Sequence, residues 1–344
     1  MSDHKILVTG GTGYIGSHTV VELINAGYKP VIVDNFSNSS PKILDQIEKI
    51  CGAKPEFYNF DLCDEKATAE FVNANRDLRG VIHFAAFKAV GESVTKPLSY
   101  YHNNLYSLIN LIKAFEDRKI NFVFSSSCTV YGQPDKLPVN ENSEVKKAES
   151  PYGNTKQIAE EILEETARVN KSLKVISLRY FNPVGAHSTA LIGELPIGVP
   201  QNLVPFITQS AIGIRGPITV YGNDYDTPDG SCIRDYIHVV DLAKAHVAAI
   251  KFMESHTESD NYSNYNIGTG HGSSVLEVIN AFEKETGVKL DYKIGLRRKG
   301  DIEKIYGDVS KAEHDFGWKT ELGLNDMMNS AWAWEQFIRE NPLT

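Results

Sequence analysis

The sequence of 344 residues has few of the features that identify membrane proteins or small domains stabilised by disulfides or metals. Its four cysteines, at positions 51, 63, 128 and 232, form no CxxC pair and show no metal-ligand spacing. We therefore expect no bound metal and reduced thiols in a cytoplasmic protein. No apolar run approaches the roughly 18–20 residues that a membrane span needs. The first residues, MSDHKILVTGG, also do not resemble a signal peptide, because the apolar run is too short.

Positive charge is scarce as well. Lysine and arginine number 35 against 44 acidic residues, which gives a net charge of −9 and a pI near 5.6. This balance favours neither nucleic acid nor an anionic membrane as a partner, so a bound anion would need local cations. The chain has no internal repeat and no low-complexity tract, and its 42% hydrophobic and 23% charged content is that of a globular protein with a large core.

The first half of the chain alternates short apolar runs with longer segments of helical spacing. The runs are continuously apolar, which indicates strands buried on both faces of a parallel sheet that helices cover. The sequence thus predicts a doubly wound α/β fold. The predicted strands are 5–9, 31–33, 57–60, 80–85, 121–125 and 174–180, and the predicted helices are 15–26, 64–74, 97–118 and 152–170.

The alternation stops after residue 182. Residues 183–203 contain several prolines and glycines without a clear period, and they predict a long functional loop or lid. Shorter elements follow, which predict a smaller mixed α/β lobe at 182–344 beside a first domain at 1–181, with part of 233–255 packing back onto that domain. The predicted elements are the segments 219–221 and 233–237 and helices near 239–254, 274–286 and 324–339.

A glycine-rich turn joins the first predicted strand to the first helix. Gly10, Gly13 and Gly16 would allow a tight turn, close backbone approach and helix packing, so that a pyrophosphate faces the helix N-terminus. Asp34 ends the second strand, where a carboxylate accepts ribose hydroxyls and repels a 2′-phosphate. The pattern predicts a dinucleotide site that prefers NAD to NADP; the alternative is an ordinary turn with a capping aspartate.

Ser127, Tyr152 and Lys156 form the second motif. Tyr152 and Lys156 lie four residues apart on a predicted helix and so share one face. A free phenol has a pKa near 10 and is a poor base at neutral pH, whereas a neighbouring ammonium and a cationic nicotinamide ring favour the phenolate. Ser127 can orient or relay the proton. The alternative is a buried tyrosine beside an exposed lysine on an amphipathic helix.

The GxxGxxG spacing together with Tyr152-Gly-Asn-Thr-Lys156 resembles the extended short-chain dehydrogenase/reductase superfamily. This resemblance implies a Rossmann domain in which NAD touches the glycine loop and the catalytic residues. It also implies further NAD contacts along the carboxyl ends of the strands. These are Tyr14, Ile15, Asn35, Asp61, Leu62, Phe84, Ala85, Lys88, Asn103 and Tyr180.

The segment around Ser127 separates sister families. Nucleotide-sugar 4,6-dehydratases carry an Asp-Glu pair where this chain has Cys128 and Thr129, so elimination of water lacks an evident acid and base. Segments along nearly the whole chain instead resemble the UDP-galactose 4-epimerase family. They are 88–93, 178–187, 222–225, 234–238 and 297–301.

The epimerase resemblance implies inversion at C4 of a UDP-hexose through a 4-keto sugar, with NAD regenerated. Arginines suit a diphosphate because they bind oxygen pairs, although Arg234 and Arg298 could also be surface ion-pair residues. Ile305 stands where a bulky aromatic residue restricts the pocket in the family, which suggests that N-acetylated sugars also fit. The implied substrate contacts are Lys88, Ser127, Tyr152, Phe181, Asn182, Asn202, Leu203, Thr219, Val220, Tyr221, Arg234, Arg298, Asp301 and Ile305.

Two alternatives to this function stay open on the sequence. Another UDP-sugar converter, such as a uronate 4-epimerase or a decarboxylase, would want an additional cation near C6, and none can be assigned. A non-catalytic NAD sensor would not need the Tyr152–Lys156 pair. The resemblance also implies a homodimer that forms through the helices at 97–118 and 152–170.

Overall fold

The computed structural model describes residues 4–256, 260–298 and 302–343. Its first half alternates strands and helices, and a short 3-10 helix, Cys128–Tyr131, follows the fifth strand. The strands are β1 Lys5–Thr9, β2 Lys29–Asp34, β3 Glu56–Asn59, β4 Leu78–His83, β5 Ile120–Ser125 and β6 Leu173–Tyr180. The helices are α1 Tyr14–Asn25, α2 Lys42–Cys51, α3 Glu65–Ala74, α4 Val90–Thr95, α5 Pro97–Ala114 and α6 Pro151–Val169.

The second half is mixed. Its helices are α7 Leu203–Ala211, α8 Val239–Ser255, α9 Val275–Thr286, α10 Ser310–Phe316 and α11 Leu324–Glu340. Its strands are β7 Asn182–Val184, β8 Ile218–Tyr221, β9 Ile233–His238, β10 Tyr262–Ile267, β11 Gly272–Ser274, β12 Tyr292–Gly295 and β13 Lys304–Ile305.

The main sheet has the strand order β10-β6-β5-β4-β1-β2-β3, and every pairing in it is parallel. Helices α1, α2 and α8 pack on one face, and α3, α5 and α6 pack on the other. Each face therefore buries its own apolar cluster, which explains why β1 and β6 are almost entirely buried. The prediction of a doubly wound parallel sheet is confirmed.

The smaller sheets confirm the mixed character of the second lobe. Strand β9 pairs in parallel with β7 and β13 and antiparallel with β11, while β8 and β12 form a separate parallel pair. Beneath them, α7, α9 and α11 enclose a third apolar cluster. Apart from β7 and a bridge between Ala186 and Gly193, residues 183–202 form no helix or strand, as the sequence predicted for this loop.

Strand β10 is the main feature that the sequence analysis missed. Its sequence, YSNYNI, contains only one aliphatic residue, and its first three residues are half-buried, so it lacks the apolar run of a central strand. It nevertheless pairs with β6 along its whole length. Helix α8 also contacts α1 and β5. The chain thus returns to the first domain, while the division at residues 181 and 182 stays a prediction.

Within the described residues, no helix is long and apolar enough to cross a membrane, and no cluster of His, Cys, Asp and Glu could hold a metal ion. The four cysteines are unpaired thiols. Burial raises the pKa of the Cys128 thiol to about 12, which keeps it protonated and consistent with a packing role.

Candidate active site

The carboxyl ends of the parallel strands bring the predicted NAD and catalytic residues to one edge of the sheet. Strand β1 lies between β4 and β2, so the chain crosses over at the β1–β4 boundary. Such a switch point opens a crevice between the loops that leave the sheet in opposite directions. The glycine loop follows β1, Phe84 follows β4, and Ser127 follows β5, each at this edge.

The glycine loop has the close packing that the sequence predicted. Gly10 has φ +69°, and a Cβ there would lie 2.9 Å from the nitrogen of Ala85. A Cβ on Gly16 would lie 2.1 Å from the carbonyl oxygen of Gly10, which no side chain could accommodate. Gly13 precedes α1 and provides no side-chain cap, so the first N–H groups of the helix face the loop. This cradle fits a dinucleotide pyrophosphate.

Asp34 is buried at the end of β2 and bonds to the same loop. Its carboxylate accepts hydrogen bonds from the backbone N–H of Thr12 at 3.1 Å, the N–H of Phe36 at 2.9 Å and the hydroxyl of Ser39 at 3.3 Å. The carboxylate is therefore fixed beside the cradle before any ligand arrives. This position agrees with a role in binding the adenosine ribose of NAD, which stays a prediction.

The other predicted NAD contacts lie around the same crevice. Tyr14 begins α1, and its hydroxyl donates to the carbonyl of Gly185 at 2.7 Å, which connects the helix to the loop at 183–203. Lys88 lies 5.6 Å above the Tyr14 ring. The remaining residues follow β2, β3 and β4, lie on α1 or α5, or end β6; they are Ile15, Asn35, Asp61, Leu62, Phe84, Ala85, Asn103 and Tyr180.

The three residues predicted to be catalytic lie near one another, while their roles stay predictions. Tyr152 lies in the first turn of α6, close to Ser127, which caps the 3-10 helix. Lys156 lies one turn later, with its Nζ 5.9 Å from the centroid of the Tyr152 ring and 4.8 Å from that of Phe124. It donates to the carbonyl of Ser125 at 2.6 Å. Exposure is 7% for Ser127, 8% for Tyr152 and 4% for Lys156, so water hardly reaches them.

Burial acts on this pair in opposite directions. It raises the pKa of the Tyr152 phenol above its ordinary value, an effect that nearby Tyr180 increases and the hydrogen bond with Ser127 only partly offsets. Burial also lowers the pKa of Lys156. The nearby Glu160 carboxylate partly opposes this shift, and the resulting pKa of Lys156 is about 8. The protein alone therefore holds a protonated phenol. Formation of the phenolate needs a further positive charge, which the sequence analysis assigned to the nicotinamide ring.

Two of the predicted substrate residues lie side by side in the second half of the chain. In the β9–β13 pairing, Arg234 lies directly opposite Ile305, and the Arg234 guanidinium donates to the carbonyl of Ile233 at 2.8 Å. Ile305 is 3% exposed and belongs to the same apolar cluster as Cys128 and Phe181. The segment after β5 that contains Cys128 and the strand that carries Ile305 therefore pack against each other.

The remaining predicted substrate contacts lie on several elements of the second half of the chain. Asn182 begins β7, Asn202 precedes α7 and Leu203 begins it, and Thr219, Val220 and Tyr221 lie on β8. The Arg298 guanidinium lies 5.4 Å above the Tyr221 ring. Asp301 lies outside the described residues. These roles stay predictions.

Two buried or nearly buried carboxylates at the site were missed. Glu194 accepts from Lys88 at 2.9 Å and from the amide of Asn202 at 2.8 Å, so it links a predicted NAD residue to a predicted substrate residue. Glu160 lies two turns after Tyr152 and pairs with Arg179. For Glu160 a signal existed, because the spacing Tyr152-x3-Lys156-x3-Glu160 places all three on one helix face; for Glu194 the sequence carried none.

Comparison of this chain with known proteins agrees with this geometry. A family model described as GDP-mannose 4,6 dehydratase matches residues 7–331. The UDP-glucose 4-epimerase of Haemophilus influenzae is 48% identical over 332 residues, which cover 96% of this chain and 97% of that protein. The Homo sapiens UDP-glucose 4-epimerase is 45% identical over 345 residues, which cover 98% of this chain and 97% of that protein.

Solved structures are similar along the whole chain. The Stenotrophomonas maltophila UDP-glucose 4-epimerase, solved with NAD and formylated UDP-arabinopyranose, superposes with a TM-score of 0.94 at 44% identity, covering 98% of this chain and 99% of that one. The Bifidobacterium longum UDP-glucose 4-epimerase, solved with NAD+ and UDP, gives a TM-score of 0.91 at 47% identity, with coverage of 98% and 99%.

The parallel sheet, the glycine cradle and the Ser127–Tyr152–Lys156 group together define a nucleotide-sugar-modifying enzyme of the short-chain dehydrogenase/reductase type. A dehydratase is disfavoured within that class, since Cys128 and Thr129 form the 3-10 helix beside Ser127 and provide no carboxylate. The chain belongs to the UDP-glucose 4-epimerase family.

Proposed function

We propose that this protein interconverts UDP-galactose and UDP-glucose by inverting C4 of the hexose. The observation that carries the proposal is the convergence of Ser127, Tyr152 and Lys156, all buried, at the edge of the sheet that also holds the glycine cradle. NAD is the cofactor, since relatives of 44% and 47% identity hold it in their structures and this chain has the residues to bind it. NAD held in the glycine cradle would supply reversible hydride transfer at C4 of the sugar.

The protein residues move the proton and hold the sugar. Tyr152 removes the proton of the 4-hydroxyl as C4 is oxidised, which leaves a 4-keto sugar. Ser127, which lies close to Tyr152, would orient or relay the proton, and the Lys156 ammonium would stabilise the phenolate. Tyr152 then returns the proton after the keto sugar has turned its opposite face.

The turn requires that the nucleotide stay bound while the sugar moves. Arg234 and Arg298 would hold the diphosphate, because a guanidinium binds two oxygens at once. The 183–203 loop would exclude water while the sugar moves. Two hydrogen bonds hold this loop in place: the Tyr14 hydroxyl donates to the carbonyl of Gly185, and the Trp334 indole donates to the carbonyl of Glu194 at 2.7 Å.

Product analysis tests the reaction. UDP-galactose is added to the purified protein and the sugars are followed by NMR. We expect UDP-glucose to form without net NADH. A 6-deoxy-4-keto product, or CO2 release from UDP-glucuronate, would instead identify a dehydratase or a decarboxylase, and absence of turnover would favour an NAD sensor.

Substrate size is tested at Ile305, which is buried next to Phe181 and Cys128. We propose that its moderate volume also admits UDP-GalNAc and UDP-GlcNAc. An Ile305→Tyr substitution adds an aromatic ring to that wall, and we expect it to lower kcat/KM for the N-acetyl substrates by about tenfold or more, the size of a pocket-fit effect. Ile305→Leu is the volume-matched control. Equal losses on both substrate classes would contradict the proposal.

We also propose a homodimer and a cytoplasmic location. Exposed apolar side chains on α5, at eight- and three-residue spacing, support the dimer: Leu98 is 81% exposed, Tyr106 55% and Ile109 37%. Val169 at the end of α6 is 78% exposed.

The proposed cytoplasmic location is supported by the four unpaired thiols, which are typical of a reducing compartment.

A charge among the exposed apolar side chains of α5 tests the dimer. Leu98→Glu would bury a carboxylate in the proposed interface, so we expect a monomer by analytical ultracentrifugation where the unaltered protein sediments as a dimer. Val145→Glu, at a site that is 48% exposed and lies on neither helix, is the matched control. An unaltered protein that sediments as a monomer would rule out the dimer.

A further inference from the structure

A buried ion pair lies directly behind the catalytic residues. Glu160 follows Lys156 by one turn on α6, and its side chain is only 8% exposed. The Arg179 guanidinium on β6 contacts both carboxylate oxygens: Nε lies 3.0 Å from Oε1 and 3.1 Å from Oε2, and Nη2 lies 2.6 Å from Oε2. The Ser126 hydroxyl donates to Oε1 at 2.5 Å. Both carboxylate oxygens are therefore satisfied, and the pair is held in one geometry.

The partner of Glu160 is itself fixed. The Nη1 of Arg179 donates to the Tyr131 hydroxyl at 3.2 Å, and that hydroxyl donates to the Asn266 side chain at 2.7 Å. The guanidinium also lies 5.1 Å above the Tyr131 ring. The network thus joins α6, β6, the 3-10 helix and β10, and neither charge can turn toward solvent.

The ion pair affects the reaction through Ser125, the last residue of β5, and the two serines that follow it. Lys156 bonds to the carbonyl of Ser125, and Glu160 bonds to the hydroxyl of Ser126. Ser125 and Ser126 are therefore both hydrogen-bonded to α6, the helix that carries Tyr152. The next residue is Ser127, so its position relative to the Tyr152 oxygen depends on these two contacts.

The ion pair also bears on the charge of Lys156. The groups that face the Lys156 ammonium are the Tyr152 and Phe124 rings, the Ser125 carbonyl and His83 of β4. His83 is neutral at physiological pH, since burial lowers its pKa to about 3. Of the described residues, Glu160 is the one whose negative charge favours the protonated form of Lys156 and so opposes the effect of burial.

We propose that Glu160, held by Arg179 and Ser126, is a positioning residue of the reaction, which fixes Ser127 against Tyr152 and keeps the buried Lys156 ammonium charged. This inference rests on the proposed epimerase function. It differs from a purely structural role, because a structural ion pair would affect the stability of the fold and leave the protonation of Lys156 unchanged.

The test removes both charges, since loss of one partner alone leaves an unpaired buried charge and endangers folding. In the Glu160→Gln/Arg179→Gln variant of the NAD-loaded protein, the pKa of Lys156 should fall. The alkaline limb of the kcat profile, where Lys156 loses its proton, should then move to lower pH by about one unit, and kcat on that limb should drop about tenfold. KM for UDP-galactose should stay within about twofold.

A second readout does not depend on turnover. The pKa of Lys156 can be followed by NMR in protein with 13C-labelled lysine, with the resonance assigned from a Lys156→Met variant. It should fall in the double variant and stay near the unaltered value in Glu160→Asp, which keeps the charge but shortens the reach to Ser126. Glu160→Asp should lower the melting temperature instead.

Glu335→Gln is the matched control. Glu335 is also buried, at 3% exposure, and pairs with Arg339 and the Thr208 hydroxyl on helices remote from Tyr152. The Glu335→Gln protein should be less stable, but the alkaline limb of its kcat profile should not move. A folded double variant with an unmoved limb and Lys156 pKa, or an equal shift in the Glu335 variant, would overturn the proposal. Failure of the epimerase function would show separately, as absence of turnover in the unaltered protein.

Discussion

Replacing Tyr152 with phenylalanine is expected to lower kcat for UDP-galactose by about 10³-fold, because the reaction then has no group that can take and return the 4-hydroxyl proton. The fold should persist. The ring of Tyr152 is 8% exposed and packs in the first turn of α6, and removal of the hydroxyl leaves that packing intact. KM should change little, so the loss should be seen in initial rates at saturating substrate.

Tyr28→Phe is the control for this substitution. Tyr28 is similarly buried, at 6% exposure, and its hydroxyl donates to Glu254 at 2.7 Å. It precedes β2 and so lies at the amino edge of the sheet, away from the catalytic residues. The control should keep its kcat. A Tyr152→Phe protein with more than a tenth of the unaltered rate would exclude Tyr152 as the essential base.

Replacing Gly16 with alanine is expected to abolish retention of NAD. The added Cβ would lie 2.1 Å from the carbonyl oxygen of Gly10 and 2.9 Å from the Cα of Gly11, so the loop and the start of α1 must separate. Both contacts are backbone atoms, which cannot turn away as a side chain could. Forcing extra volume into a packed site costs about 1–3 kcal/mol of stability, and the melting temperature should fall accordingly.

The measurement is the NAD released by acid from purified protein, quantified by chromatography, beside thermal unfolding. Gly216→Ala is the control, since a Cβ there meets no atom within 4 Å and its backbone is not left-handed. It should keep both NAD and the melting temperature. Normal NAD content in the Gly16 variant would mean that the cofactor does not depend on the close contact between α1 and the glycine loop.

The sequence predicted the first half of the fold well because its signals are local. Central parallel strands such as β1 and β6 must be apolar on both faces, and they alternate with helices of clear period. Strand β10 escaped this reasoning. It lies at the sheet edge with a polar sequence, and its place beside β6 follows from the packing of α8 on α1, which brings the chain back.

The site divides in the same way. Gly10, Gly16 and Asp34 predict the cradle. Glycines that let a ligand approach the backbone, together with a carboxylate at the end of a strand, are typical of dinucleotide sites. The Tyr152–Lys156 spacing places both side chains on one helix face without further information. The approach of Glu194 to Lys88 joins residues 106 positions apart, and no local pattern predicts it.

Composition and spacing by themselves thus determined a Rossmann domain with an NAD cradle and a Tyr–Lys pair, since each depends on residues within one turn, strand or helix. The tertiary structure alone decided how charged those residues are and what surrounds them. Burial moves the pKa of Tyr152 up and that of Lys156 down to about 8, and Glu160 opposes the second shift only because Arg179 and Ser126 hold it there. The physical reason is that desolvation and charge act through space, and the distances that set them are fixed by packing between segments far apart in the chain.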